Sequence, residues 1–212
     1  MANNNGAQEP AAADPHNYKI ILENFGARID MSSPEKVRSE LRRPGIFDQQ
    51  KTRRYWVDDK GRNCFMVYAR ALTITFADDS RYWRWHTVKA ASDVKVEVAE
   101  LLDVLSLNVH GTFETRYLTP ETYYEVSYVI TLKDPKYGWE DEVDFSLTLP
   151  QNRSKTRKCD LRKLPRRRWS YVRVGEFKLS PGQSGHMEFT LNQIGKWKKG
   201  LLILGVDISP KI

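Results

Sequence analysis

Tyr124-Glu125-Val126-Ser127-Tyr128-Val129-Ile130-Thr131-Leu132 puts Tyr124, Val126, Tyr128, Ile130 and Leu132 on one side of an extended chain and Glu125, Ser127 and Thr131 on the other. A period of two over this length specifies a half-buried strand, because successive side chains of an extended backbone point to opposite faces. The period recurs in Val143, Phe145, Leu147 and Leu149, in Met187, Phe189 and Leu191, and in Leu202, Leu204, Val206 and Ile208. Shorter runs, Leu72-x-Ile74-x-Phe76 and Leu105-x-Leu107-x-Val109, repeat it. Between the runs stand Asp58-Asp59-Lys60-Gly61, Asp78-Asp79-Ser80, Lys133-Asp134-Pro135 and Ser180-Pro181-Gly182, residues that suit chain reversal. Many strands with one polar face, spaced by turns rather than amphipathic helices, predict an all-β fold: an antiparallel two-sheet β-sandwich, jelly-roll-like, over residues 46–212.

The N-terminal part reads differently. Residues 1–17 have the small, polar composition of a disordered tail. Residues 18–45 form an extension: Ile20, Ile21 and Leu22 read as a short strand-like apolar patch. Ser33-Pro34-Glu35 then reads as an N-cap followed by proline at the first helical position. A short helix is predicted from there to Arg43, with Val37 and Leu41 on one face and Pro44-Gly45 as its stop.

The composition excludes several function classes. In 212 residues the longest apolar run, 201–206, is far short of the ~20 residues of a membrane span, so no membrane partner is expected. Residues 1–15 show no basic segment leading into an apolar one, which predicts a cytosolic chain. Cys64 and Cys159 cannot make a disulfide framework, and His16, His86, His110 and His186 lack ligand spacing. No metal or other cofactor is expected. Neither a phosphate-cradling glycine loop nor a nucleophile elbow is present, so no enzyme is expected either.

The net charge of +7 attracts polyanions. Its densest source, Arg153 through Arg168, reads as a long exposed loop. As alternatives to the main reading below, that run suits RNA phosphates or a nuclear-import signal, and Cys64 or Cys159 suits a cross-linked filament. Six Trp, ten Tyr and eight Phe exceed what one core needs, so some rings should face solvent or ligand.

Tyr55-Trp56, Asn63-Cys64-Phe65-Met66, the run Ala69-Arg70-Ala71-Leu72-Thr73-Ile74-Thr75-Phe76 and the doubled aromatic Tyr82-Trp83-Arg84-Trp85 together resemble the start of the phloem protein 2 lectin domain. Gly175-Glu176-Phe177, Met187-Glu188-Phe189, Lys196-Trp197-Lys198-Lys199-Gly200-Leu201 and Gly205-Val206-Asp207-Ile208 resemble its closing strands. The resemblance implies a non-catalytic lectin for N-acetylglucosamine oligomers and N-glycan cores, a homodimer, in phloem cytoplasm and also in the nucleus. Carried over by position, it implies ligand-facing rings at Phe76, Trp83 and Trp197, with polar partners at Glu188 and Gln193. Phe76 stands where the family commonly has Trp, and Gln193 where it has an acid. Chemically the set is apt, since a pyranose offers an apolar C–H face to an aromatic platform while its acetamide asks for a fixed polar acceptor.

Overall fold

The computed structural model describes residues 14–212 other than 166, 179 and 181; the tail expected over 1–17 lies mostly outside the described residues. Two helices come first, α1 (Tyr18–Phe25) and α2 (Pro34–Leu41). Thirteen strands follow: β1 (Ile46–Phe47), β2 (Arg53–Val57), β3 (Asn63–Tyr68), β4 (Thr73–Ile74), β5 (Trp83–Lys89), β6 (Lys95–Leu101), β7 (Leu107–Glu114), β8 (Tyr123–Tyr137), β9 (Val143–Leu149), β10 (Arg153–Cys159), β11 (Ser170–Lys178), β12 (His186–Gln193) and β13 (Lys199–Pro210).

Helix α2 starts where the sequence places it, with the Ser33 hydroxyl accepting from the Lys36 N–H at 3.3 Å and Pro34 in the first turn. It buries Val37 and Leu41. Helix α1 corrects the strand-like reading of 18–24. Tyr18, Ile21, Leu22 and Phe25 are its buried residues, a spacing of three and four that only a helix brings to one side. Gly26, at φ 59°, closes it by turning the chain left-handed.

The strands form two antiparallel sheets. β10-β9-β12-β7-β4 make the five-stranded sheet. In the eight-stranded sheet β13 is the hub: β8 runs along one of its edges and is itself flanked by β11, while the other edge is shared by β3 and β6. The core lies between the sheets, with Phe145, Met187, Phe189, Leu191, Tyr128, Ile130, Ile203 and Val206 all fully or almost fully buried. The two-sheet sandwich read from the alternation is the fold of the chain.

Three local readings change. In β13 the alternation breaks between Ile203 and Gly205, where the pairing with β8 shifts by one and the partner on the other edge changes from β6 to β3; Leu201 and Ile203 face inward before the break, Val206 and Ile208 after it. Leu202 and Leu204 therefore lie on the outer side. Lys133-Asp134-Pro135 is not a turn but part of β8, in a bulge where the ladder passes from Leu132 to Tyr137 opposite Gly200, so Pro135 leaves no ladder bond unmade. The basic run is likewise not all loop. Residues 153–159 are the edge strand β10, in which Arg153, Lys155 and Arg157 pair with the core-facing Leu149, Leu147 and Phe145. Charges on the inward side of an edge strand keep a second strand from adding there, which accounts for basic residues at alternate positions.

On the outer side of β13, Asp207 is partly buried, and desolvation pushes its carboxyl up to about 6 although Arg43 and Arg54 oppose the shift. A carboxyl raised in the fold contributes stability below its unfolded value near 3.8, and that contribution is lost as pH rises through about 6. Asp207→Asn should therefore leave stability near pH 3.5 unchanged and raise it by on the order of 2 kcal/mol at pH 8, as read by urea unfolding. Equal effects at both pH values would contradict this. Cys64 is buried and its thiol is pushed up to about 12, which leaves Cys159 as the thiol nearer solvent for any cross-link.

Candidate functional site

One end of the sandwich gathers four loops, 75–82, 102–106, 138–142 and 194–198, because the ends of β4, β6, β8 and β12 and the starts of β5, β7, β9 and β13 all fall there. It also gathers exposed rings and aliphatics: Phe76 is 58% exposed and Trp197 53%, with Leu105, Tyr137 and Ile194 also open. These five residues lie in or beside the four loops, so this end of the sandwich carries the open rings of both Phe76 and Trp197.

The loop carrying Phe76 is built on tryptophans. β4 stops at Ile74, and Thr75 makes one further ladder bond to Asn108. The indole N–H of Trp83 then donates to the Thr75 carbonyl, and that of Trp85, two residues on in β5, to the Ala77 carbonyl, both at 3.0 Å. These bonds grip the chain on either side of Phe76, which sits at φ 62° with its ring turned outward. Tyr82 braces that ring at 5.1 Å between centroids. Arg81 clamps Asp79 through its guanidinium, holding that carboxyl down at about 2. Ile74, Phe76, Asp78, Asp79 and Arg81 border an open hollow of about 830 Å³.

Trp197 is held by a different device. Lys198 is fully buried, and its ammonium donates to the carbonyls of Leu105 at 3.1 Å, Gln193 at 3.3 Å and Lys196. Burial draws its pKa down. Its backbone also pairs with Val104 in both directions. The Gln193 side chain donates to the Asp141 carbonyl at 2.9 Å, and Lys196 pairs with Asp141 at 2.8 Å. The 102–106 loop thus joins the two halves of the site: Leu102 donates to the Tyr82 carbonyl on one side, and Val104 meets Lys198 on the other.

The five residues expected at a ligand fall into three places. Phe76 and Trp197 are at this end with open rings. Trp83 and Gln193 are also at this end but buried, at 2% and 8% exposure, beneath the loops they anchor. Glu188 is elsewhere: it is exposed on the outer face of the five-stranded sheet, paired with Thr112 and Thr148. Five residues of extended chain separate it from Gln193, about 16 Å, and the odd spacing turns the two side chains to opposite faces. Sequence reasoning missed Lys198 and Trp85 as loop anchors; the indole spacing of two from Trp83 was the available signal for Trp85. Among the described residues no three His, Cys, Asp or Glu side chains gather as a metal site.

A family model described as Phloem protein 2 matches residues 62–210. Protein PHLOEM PROTEIN 2-LIKE A1 of Arabidopsis thaliana is 42% identical over 202 residues, covering 93% of this chain and 81% of the relative. A protein of Luffa acutangula named Lectin is 38% identical over 199 residues, 92% of this chain and 94% of that one. Among solved structures, xylanase modules of Clostridium thermocellum determined with xylohexaose match 69% of this chain and 27% of theirs, at 12% identity and a TM-score of 0.39, too remote to bear on the site. With the family model matched over most of its length and a relative paired with it almost end to end, the chain belongs to the phloem protein 2 family.

Proposed function

We propose that the loop end is a sugar-binding site and that the chain is a lectin for N-acetylglucosamine oligomers and N-glycan cores, without catalysis. The observation that carries this reading is a pair of open rings, Phe76 and Trp197, each on a loop whose carbonyls are held by a buried side chain, Trp83 for the first and Lys198 for the second. Rings fixed in advance lose little freedom when a pyranose lies on them. The Luffa acutangula relative, named Lectin, supports the sugar class. Around the rings, the Asp78 carboxylate, the Asp103 carboxylate and the Lys196 ammonium are polar groups within the same loops for an acetamide and hydroxyls. Phloem residence is proposed on the family alone.

The site is shallow, so one sugar unit should bind in the millimolar to tens-of-micromolar range, about −4 to −7 kcal/mol. Trp197→Ala should weaken chitotriose binding about tenfold or more, a loss of about 1.5 kcal/mol, with an unchanged melting temperature because the ring is not part of the core. Isothermal titration calorimetry against the parent chain checks this. Parent-like affinity with unchanged stoichiometry in a Phe76→Ala, Trp197→Ala double variant would remove the site.

A further inference from the structure

We infer that the chain has a second sugar site, in the cleft between helix α1 and the β7 side of the five-stranded sheet, which makes one chain bivalent. This rests on the sugar-binding reading above. The cleft holds about 410 Å³ and is lined, among others, by Asn24, Gln50, Arg53, Arg70, Glu114 and His186. That volume is in the lower part of the ~300–1,000 Å³ range of small-ligand sites.

Its two guanidiniums are fixed from behind. Buried Asp48 accepts from Arg53 Nε at 3.2 Å, from the Thr52 and Arg53 backbone N–H groups and from the Thr52 hydroxyl. The Arg53 guanidinium also lies 5.2 Å from the centre of the Phe25 ring, at the end of α1. Arg70 is gripped twice by Glu97, at 2.8 and 3.0 Å, lies 3.5 Å over the Trp85 ring, and has Asp78 of the loop end 4.0 Å from its Nη1, so it stands at the border between the two sites. Each keeps N–H groups that these clamps do not use. Opposite them Glu114 is paired with Arg116. Gln50, Thr112 and His186 make no side-chain hydrogen bond among the described residues.

The chemistry of the ligand follows from this balance. Every carboxylate and guanidinium in the wall has a counter-charge, so the cleft presents little net field to draw an ion. What it does present is two fixed guanidiniums beside the unengaged side chains of Gln50, Thr112 and His186, with Phe25, Phe113 and Tyr117 buried behind them. That suits an uncharged, polyhydroxylated ligand, recognised by hydrogen bonds rather than by ring stacking. Helix α1, outside the sandwich proper, becomes a wall of the site. Thr112 and Glu114 stand five and seven residues along β7 from Leu107 at the loop end, about 16 to 23 Å. The two sites are therefore separate, and one chain can hold two glycans without a partner chain.

The test is chitotriose titrated into the full chain, read by calorimetric stoichiometry and by the resonances of the Arg53 Nε–H and the Gln50 side-chain amide beside the Trp197 indole N–H; Arg70, which lies over Trp85 and near Asp78, is left out because either site would move it. Two sites per chain are expected, falling to one in Gln50→Ala, His186→Ala, which removes no internal hydrogen bond, and in Trp197→Ala. In the latter the Arg53 and Gln50 signals should still move. One site in the parent with only Trp197 moving overturns this inference and leaves the loop-end reading standing. Movement of the Arg53 and Gln50 signals with Trp197 silent supports the cleft and removes the loop end.

Discussion

Trp83→Ala should cost about 3–5 kcal/mol of stability, the range for removing a large buried aromatic. At 2% exposure the ring is part of the core, and the cavity left at the start of β5 would lie directly under residues 75–77. Trp83→Phe separates the two roles of the indole. It keeps most of the packing and loses the bond to the Thr75 carbonyl, so stability should fall by about 1–2 kcal/mol. Chitotriose affinity should fall with it, since Phe76 is no longer held from behind. Chemical unfolding and calorimetry on the two variants check both statements. A Trp83→Ala chain as stable as the parent would mean that the ring is not packed as described.

Lys198→Met should cost about 2–4 kcal/mol, because three carbonyls, that of Gln193 buried and those of Leu105 and Lys196 partly so, lose their shared donor while the methionine fills nearly the same volume. Some of that cost is offset by removing a desolvated ammonium. The functional effect should be larger than the stability effect suggests. Lys198 joins the Leu105 loop to the Trp197 loop, so without it both become mobile and a bound sugar must order them. Binding should drop even at temperatures where the variant is fully folded. Hydrogen exchange of the Val104 and Lys198 amides, which bond each other across the two loops, reports the loosening directly. Parent-like exchange and affinity would show that the ammonium is dispensable.

Much of the sandwich is legible in the chain because its strands are long and one-sided. Residues 143–149 alternate without interruption and 124–132 with one break at Val129, and both became strands with the expected side inward; the other side of 124–132 is buried as well at Ser127, Val129 and Thr131. Where the backbone departs from regular pleating the pattern misleads. Leu204 is an extra residue between Ile203 and Gly205, so a run read as one alternation is two half-strands of opposite parity. Phe76 continues the Leu72-Ile74 rhythm by spacing alone, yet the chain has already left the strand, because two indoles more than five residues away take its carbonyls. In α1 three consecutive apolar residues drew attention to Ile20, whereas the stripe that matters is Tyr18, Ile21, Leu22 and Phe25.

The candidate site was legible in the sequence as a gathering of residues at one end more than as a set of contacts. Position alone brought Phe76, Trp83, Gln193 and Trp197 to one end. Which of them face outward depends on where each strand stops, and no local pattern states that. Trp83 and Trp197 are both Trp-Arg or Trp-Lys dipeptides; one starts a strand under a loop and is sealed, the other sits in the loop itself and is open. Glu188 could be set aside by parity against Gln193, a count of five in an extended strand.

Whether glycans are held by the open rings at the loop end can be decided by following all six tryptophan indole N–H resonances while chitotriose is added. Trp197 should shift most and saturate with the binding isotherm, Trp83 should respond weakly through the 75–77 loop, and Trp56, packed on the outer side of the eight-stranded sheet, should stay still. Saturable binding with Trp197 unmoved would contradict the account.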